Sequence, residues 1–457
     1  MAPRNILPLE FYTQGDYFFE VIIGGNNKMK RKLVDELKEF IDEKVCIKGW
    51  VYKIRRLKLI TFIIIRDRSG LVQCVVNNNG FNLSEISIES VVSIIGNVKE
   101  SKNKLNSFEV QVESIEIISK VEDELPIEIN KESLEVNLDT MLNNRILSLR
   151  HPKINAIFKV QNLIVNSFRE FLNKEGFTEI HTPKIVKEGA EGGTEVFEVK
   201  YFENKAYLAQ SPQFYKQMMV GSGFERVFEI GHAYRAEEHN TNRHLNEYIS
   251  MDLEMGFIEN EFDIIELEEK LLRFILKSLK NNGKKYLDLL QVELPVINEE
   301  IPKIKFKEAI NILRENYNKQ DLEGDLDPES EKLLCKYAKE NFNSDFVFLT
   351  NYPRKKRPMY TMPYGEEETH SFDLLFKGIE ITTGGQRIHD YEMLVENMKY
   401  KGLNPNNYES YLELFKYGMP KHGGLAIGLE RITAKILGLE NVREATLITR
   451  DRKRLIP

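Results

Sequence analysis

The sequence predicts an α+β protein in two parts: a small closed β-barrel, then a larger domain in which helices flank an antiparallel sheet. Three observations carry this reading. Between Val45 and about Ile118, five short runs rich in β-branched residues are separated by tight turns such as "RDRSG". The stretch "NAIFKVQNLIVNSFREFLNKEG" repeats its apolar residues at helical spacing until Gly176 stops it. The late runs "GIEITTGGQRIHDYEML" and "HGGLAIGLERITAKILGL" read as strand, glycine-rich turn and helix.

Taken in order, residues 1–28 look unlike the rest and stand as an extension of unknown role. "MKRKLVDELKEF" from Met29 reads as a first helix. The barrel strands are "VCIKGWVYKIR", "TFIIIRD", "LVQCVV", "VVSIIGNV" and "SFEVQVESIEII", which places the barrel domain at 29–122. "DELPIEINKES" lies in a linker, 123–140, and the second domain runs from 141 to 457. In it "FTEIHTPKIV" is extended, and the stretch from about 262 to 345 is helical and charged with little chemical signature.

Composition narrows the function classes. The chain has 457 residues, 42% hydrophobic and 30% charged, enough for two or three domains and a sizeable core. No run of about 18 uncharged apolar residues is present, and no signal peptide is evident. Cys46, Cys74 and Cys335 are odd in number and widely spaced, which fits a reducing cytoplasm rather than a disulfide framework. The eight histidines show no metal-ligand spacing, so zinc is not expected. The net charge of -7 speaks against general nucleic-acid binding. Yet between Asn27 and Arg68, 13 Lys and Arg stand against 6 Asp and Glu, so that segment can meet phosphates.

Chemistry concentrates in the second domain. "RAEEHNTNRHLNE", from Arg235 to Glu247, is wholly polar but for Ala236 and Leu245 and sits between two strand-like runs. It is either a solvated hairpin tip or a clamp in which arginine forks hold a phosphate or carboxylate. In "HGGLAIGLERI", Gly424 and Gly428 permit close backbone approach to a ligand, or simply close packing, and Arg431 opens a helix. No G-K-[ST] follows, so this is not a Walker loop. In "SFDLLFKGIEITTGGQRIHD", Asp373 and Glu380 flank a turn and can share a hard cation such as Mg²⁺. Arg387 follows in apolar surroundings, where a buried arginine needs an anion; a structural ion pair is the bland alternative. "LAQSPQFYKQMM" places Gln213 and Lys216 on one face of a helical turn behind Ser211, which can also be a cap. "KEGAEGGTEVF" is composed like a mobile lid or an ordinary surface loop.

Taken jointly, these features resemble the three signature motifs of class II aminoacyl-tRNA synthetases. Motif 1 is similar to the long helix and the strand ending at Pro183, motif 2 to "YRAEE…RHLNE", and motif 3 to "GLAIGLER". The chain resembles the aspartate-specific enzymes of the archaeal and eukaryotic-like form over about residues 30–457, including the closing "REATLITRDRKRLIP". Ala426 departs from the usual middle glycine of motif 3, and "LITRD" from the usual "LFPRD".

The resemblance implies ATP-dependent activation of L-aspartate to the adenylate, then transfer to tRNA(Asp), in some relatives also to tRNA(Asn). Arg235 would contact the α-phosphate and the reacting carboxylate, and Arg431 the γ-phosphate. Glu237 and Tyr248 would hold the adenosine, Arg243 and His244 the bent triphosphate. Ala236, Leu245, Gly428, Leu429 and Glu430 complete the implied ATP site, and Glu380, Asp373 and Thr383 would organise Mg²⁺. Lys216 and Arg387 would grip the aspartate side chain. Ser211, Gln213 and Asp252 would receive the rest of the amino acid with Thr383 and Arg235, and Glu191 would close over it. "RIHD" and Asp252 favour aspartate over asparagine, whose enzymes tend to carry "REER" and Glu. The barrel is then implied to be an OB-fold anticodon-binding domain, with Phe62 stacking a base, Gln73 reading one and Arg55 beside them. "RRLKL" replaces the family's usual "RDLGG" there. A homodimer is also implied. An asparaginyl-tRNA synthetase and a tRNA-independent asparagine synthetase-like ligase are the alternatives. The second has no use for the barrel.

Overall fold

In the computed structural model, residues 29–189, 195–238, 241–320, 322 and 326–457 are described; the extension 1–28 and Glu191 lie outside them. The chain forms two compact units that divide between Leu125 and Pro126.

The first unit is built on five strands: β1 (Lys44–Arg56), β2 (Ile60–Arg66), β3 (Leu71–Asn77), β4 (Val91–Glu100) and β5 (Phe108–Ser119). Successive pairings β1–β2, β2–β3, β3–β5, β5–β4 and β4–β1 close the sheet on itself, and only β3–β5 is parallel. The period-two pattern sends Val45, Ile47, Ile63, Ile65, Val72, Cys74, Ile94 and Val110 into one apolar core. A bulge between Val51 and Lys53 bends the long β1. Closure crowds the backbone at Gly49, where a Cβ would lie 2.4 Å from the Arg66 carbonyl oxygen. This is an OB-fold.

The helix expected from Met29 is not formed. Arg31–Lys32 instead pairs with Cys46 and Ile47 of β1, and Val34–Phe40 is a 3₁₀ turn. Tertiary bonds override local propensity here. The Val34 amide donates to Asp67 Oδ2 and the Asp35 amide to Ser69 Oγ, which ties the segment to the β2–β3 turn.

The second unit is a sheet covered by helices. Its strands are β6 (Thr178–Glu179), β7 (Arg226–Tyr234), β8 (Glu247–Gly256), β9 (Lys303–Lys305), β10 (Phe346–Thr350), β11 (Ser371–Phe376), β12 (Ile379–Arg387) and β13 (His422–Gly428). They lie in the order β9-β10-β11-β12-β13-β8-β7-β6, antiparallel except for the outermost pair at each edge. The helices that matter below are α1 (Pro152–Lys174), α2 (Gln213–Met219), α3 (Glu261–Asn282), α4 (Pro328–Phe342) and α5 (Leu429–Leu437).

Strand alternation gives the sheet two characters. Met251, Leu253, Phe372, Leu374, Leu425 and Ile427 join residues of α1, α3 and α5 in one buried cluster. Their neighbours Ser250, Asp252, Glu254, Asp373, Gly424 and Ala426 turn to the opposite face. Among the described residues, no helix is long and apolar enough to cross a membrane.

Candidate active site

The polar face of the sheet carries an open cleft walled by the β7–β8 connection on one side and by β12, β13 and the start of α5 on the other. The polar segment after Arg235 is the connection of a hairpin: β7 and β8 pair from Arg226↔Met255 to Tyr234↔Glu247. Asn246 fixes its base, donating from Nδ2 to the Arg235 carbonyl at 2.7 Å and to that of Glu237 at 3.1 Å. The Ala236 amide donates to the Glu195 carbonyl at 2.8 Å. Arg235, Glu237, Arg243, His244, Leu245 and Tyr248 all line the cleft, and the Arg235 guanidinium lies 5.8 Å from the Tyr248 ring centre. Leu245 also anchors the hairpin in a small apolar cluster with Ala434 and Val442.

The opposite wall comes from β12, β13 and the start of α5, through Glu380, Thr383, Ala426, Gly428, Glu430 and Arg431. Glu380 and Thr383 are three apart and would face opposite ways in a regular strand. A register shift opposite Leu374/Leu375 adds one residue to β12 and turns both to the cleft, where Thr383 Oγ1 donates to Glu380 Oε1 at 3.0 Å. Arg431 Nη1 donates to the Glu380 carbonyl at 3.0 Å and lies 3.5 Å from Oε1. Burial alone would raise the Glu380 carboxyl, but Arg431 and Arg357 hold it below the usual range. Asp373 goes the other way. Burial and Glu380 push it up against the pull of Arg357, whose Nη2 is 2.8 Å from Asp373 Oδ2. Leu429 faces the core, while Glu430 is buried and accepts the Ile249 amide at 3.2 Å. Burial pushes its carboxyl up to about 7.

Beside the cleft lies a buried cluster of charges. Lys216, on α2, is 1% exposed; its Nζ is 3.0 Å from Asp252 Oδ1 and 3.3 Å from Glu254 Oε2. Arg387 Nε donates to Glu254 Oε1 at 3.0 Å and Nη2 to the Gly424 carbonyl at 2.9 Å. Burial would raise the Glu254 carboxyl, yet Arg387 and Lys216 keep it low, so the cluster holds two cations and two carboxylates. Ser250 Oγ donates to Asp252 Oδ2 at 2.5 Å. Gln213 Nε2 reaches Gln217 Oε1 at 3.1 Å, and Ser211 Oγ accepts the Gln213 amide at 3.4 Å. Gln217 also accepts Tyr411 Oη at 3.0 Å and contacts His422 Nε2 at 2.7 Å. Burial holds the His422 ring neutral by lowering it to about 4. These partners hold Gln213 and Lys216 on the face of α2 turned to the sheet.

Glycine at 424 is a requirement of this cluster. A Cβ there would lie 2.1 Å from the Leu253 carbonyl oxygen and 2.3 Å from Glu254 Oε2. Ala426, two residues on, lies opposite Asp252 and Thr383 and fits its methyl at the cleft wall.

On the barrel, Phe62 (β2) and Gln73 (β3) belong to the same outward face, because Gln73 pairs with Ile64 two residues beyond Phe62. Gln73 Nε2 donates to Glu109 Oε2 at 2.9 Å. Arg55 lies opposite Phe62 and is exposed, and the adjoining turn exposes Leu57 and Leu59.

The structure therefore gathers Arg235, Glu237, Arg243, His244, Leu245, Tyr248, Glu380, Thr383, Gly428, Glu430 and Arg431 around the cleft, while Ala236 and Asp373 do not line it and Leu429 belongs to the apolar core. Ser211, Gln213, Lys216, Asp252 and Arg387 gather beside the cleft. Four partners escaped the sequence reading: Glu254, Asn246, Glu331 and Arg357. Asn246 stood within the polar hairpin without a role assigned to it, and Glu254 left a signal as a second acid two residues after Asp252; Glu331 and Arg357 left none.

Residues 137–452 match the family described as tRNA synthetases class II (D, K and N), and 45–118 that described as an OB-fold nucleic acid binding domain. The aspartate–tRNA(Asp/Asn) ligase of Deinococcus radiodurans is 48% identical over 436 residues, 94% of this chain and 99% of its own. The aspartate–tRNA(Asp) ligase of Pyrococcus abyssi is 44% identical over 427 residues, 92% and 97% of the two chains. Among solved structures, the aspartyl tRNA synthetase of Entamoeba histolytica has a TM-score of 0.82 at 31% identity, with 100% of each chain covered. The asparaginyl-tRNA synthetase of Pyrococcus horikoshii with asparaginyl-adenylate has a TM-score of 0.87 at 32% identity, covering 94% of this chain and 100% of that one.

Proposed function

The chain belongs to the class II tRNA synthetases of the D, K and N group, and from that premise we propose that it is an aspartate–tRNA ligase. The observation that carries aspartate is the buried pair Lys216 and Arg387 beside the cleft. Lys216 and Arg387 are desolvated and held in place by Asp252 and Glu254, and their N–H groups can also donate to both oxygens of a substrate carboxylate, whereas the amide of asparagine would turn its own NH₂ donor toward them. The Pyrococcus horikoshii relative shows that the same fold serves asparagine, so side chains rather than fold decide the choice.

In the reaction we assign, ATP lies along the cleft with its purine against Tyr248 and Glu237. Its triphosphate runs between Arg235, Arg243, His244 and Arg431. Aspartate lies beside it, its side chain toward Lys216 and Arg387 and its ammonium toward Asp252. The α-carboxylate oxygen attacks the α-phosphorus, a new phosphorus–oxygen bond forms, and pyrophosphate departs. Arg235 would absorb charge at the reacting phosphorus and Arg431 charge on the leaving group, so placement and electrostatics do most of the work. A ribose hydroxyl of the tRNA 3′ end then attacks the mixed anhydride and releases AMP.

Mg²⁺ fits the residues present. Asp373 Oδ1 is buried with no hydrogen-bond partner among the described residues, and Glu380 beside it is held ionised. Among the described residues no group of three His, Cys, Asp or Glu could hold a metal by itself, so Mg²⁺ here would have to complete its shell with phosphate oxygens and water. Bound there by Glu380, Asp373 and Thr383, it would neutralise triphosphate charge. The barrel would read the anticodon through Phe62, Gln73 and Arg55. The enzyme would act as a homodimer in the cytoplasm, on tRNA(Asp) and, in a relaxed form, on tRNA(Asn).

Amino-acid-dependent exchange of pyrophosphate into ATP tests the reading directly. Aspartate supports exchange, and asparagine fails by roughly 10⁴-fold in kcat/KM. Equal exchange with asparagine would exclude the assignment.

A further inference from the structure

The helical stretch between α3 and β10 carries no signature motif, yet it sends one carboxylate to the cleft wall. Glu331 stands in the first turn of α4, 6% exposed. Its Oε1 accepts Arg243 Nη2 at 2.9 Å, and its Oε2 accepts the Glu380 amide at 3.1 Å. One partner comes from the polar hairpin and the other from the bulged start of β12. On the far side of Glu380 stands Arg431, so two neighbouring carboxylates, Glu331 and Glu380, are flanked by an arginine at each end, Arg243 and Arg431. Arg243 Nε is buried and has no hydrogen-bond partner among the described residues.

We propose that Glu331 is a positioning residue for the nucleotide step: it aims Arg243 into the cleft and ties that arginine to the strand that carries Glu380. The inference rests on the nucleotide reading of the cleft given above. A flexible arginine on a hairpin has many rotamers to lose when a polyanion arrives. Glu331 removes that freedom beforehand and supplies the anion that a buried guanidinium requires. The same carboxylate holds the Glu380 backbone, so hairpin and strand take up their places together. Arg243 itself lines the cleft, where the guanidinium N–H groups not used by Glu331 can meet the ligand.

If Glu331 merely stapled α4 to the sheet, its loss would lower stability and leave substrate dependence alone. Aspartate-dependent pyrophosphate exchange separates the two roles. Glu331→Gln keeps an acceptor for the Glu380 amide but removes the charge that holds Arg243. It raises KM for ATP roughly tenfold, with KM for aspartate changed by less than about twofold. Glu331→Asp keeps the charge but shortens the reach, and moves KM for ATP in the same direction. In an Arg243→Ala background, Glu331→Gln changes KM for ATP by less than about threefold, because the arginine it positions is gone. Normal exchange with an unaltered KM for ATP in both Glu331 variants sinks this inference alone, as does an equal effect in both backgrounds. No aspartate-dependent exchange in the unmodified protein sinks the reading of the cleft and this inference with it.

Discussion

Arg387 and Glu254 show how the chemistry and the stability of the site are joined in single residues. Glu254 is fully buried, and its partners are the two cations proposed to bind the substrate side chain. Arg387→Leu removes one of them and leaves the carboxylate under-compensated, which costs about 3–5 kcal/mol in urea unfolding. Arg387→Leu/Glu254→Leu recovers much of that stability and none of the aspartate activation. A double variant no more stable than the single one would show that the pair does not carry the penalty. The glycines of β13 make a second contrast. Gly424→Ala drives a Cβ into the Leu253 carbonyl and the Glu254 carboxylate, so it lowers exchange by roughly 10²-fold or more. Ala426→Gly leaves KM for ATP unchanged and lowers stability by about 0.5–1 kcal/mol, the backbone-entropy cost of a glycine within a strand.

At the scale of elements, the layer between α3 and the sheet is mostly apolar, yet it buries a carboxylic acid. Glu268, on α3, is fully buried against Thr382, and neither of its oxygens has a well-formed hydrogen bond among the described residues. Burial pushes its carboxyl from the ordinary 4.5 up to about 8. The unfolded chain therefore gives up this proton at lower pH than the folded one. The contribution to stability is full below pH 4.5 and is lost as pH rises toward about 8, at a slope approaching 1.4 kcal/mol per pH unit, roughly. Glu268→Gln has no such proton. Its advantage over the unmodified protein in urea unfolding is small at about pH 5 and grows toward pH 8. An advantage independent of pH would mean that Glu268 is ionised in the fold. Elements of this kind were legible in the sequence wherever a period repeats: the five barrel strands, the long helix α1 and the polar hairpin between β7 and β8. The 3₁₀ turn at Val34 was not, because bonds to Asp67 and Ser69, distant in sequence, decide it. Arg235, Arg243, Gly428 and Arg431, which line the cleft, stand in motifs that the sequence displays, whereas Glu331 and Arg357 do not. Each reaches the cleft from a segment whose sequence is ordinary, and only the folded topology brings it there.

At the scale of the whole molecule, every residue proposed for adenylate formation lies in the unit Pro126–Pro457, and every residue proposed to meet the anticodon lies in the unit before it. Each unit has its own apolar core. A fragment spanning Pro126–Pro457 therefore keeps aspartate-dependent pyrophosphate exchange. It loses tRNA charging by roughly tenfold or more for each stacked base the barrel no longer holds. Loss of both activities together would mean that the barrel is needed for the catalytic unit to fold or act. The central claim is the transfer of aspartate to tRNA, and it is tested most directly by aminoacylation with labelled aspartate. The assay is run in parallel on purified tRNA(Asp) and tRNA(Asn), with labelled asparagine as the control. The account predicts aspartate on tRNA(Asp), with or without tRNA(Asn), and no transfer of asparagine. Asparagine on either tRNA, or no transfer of aspartate to either, would contradict it.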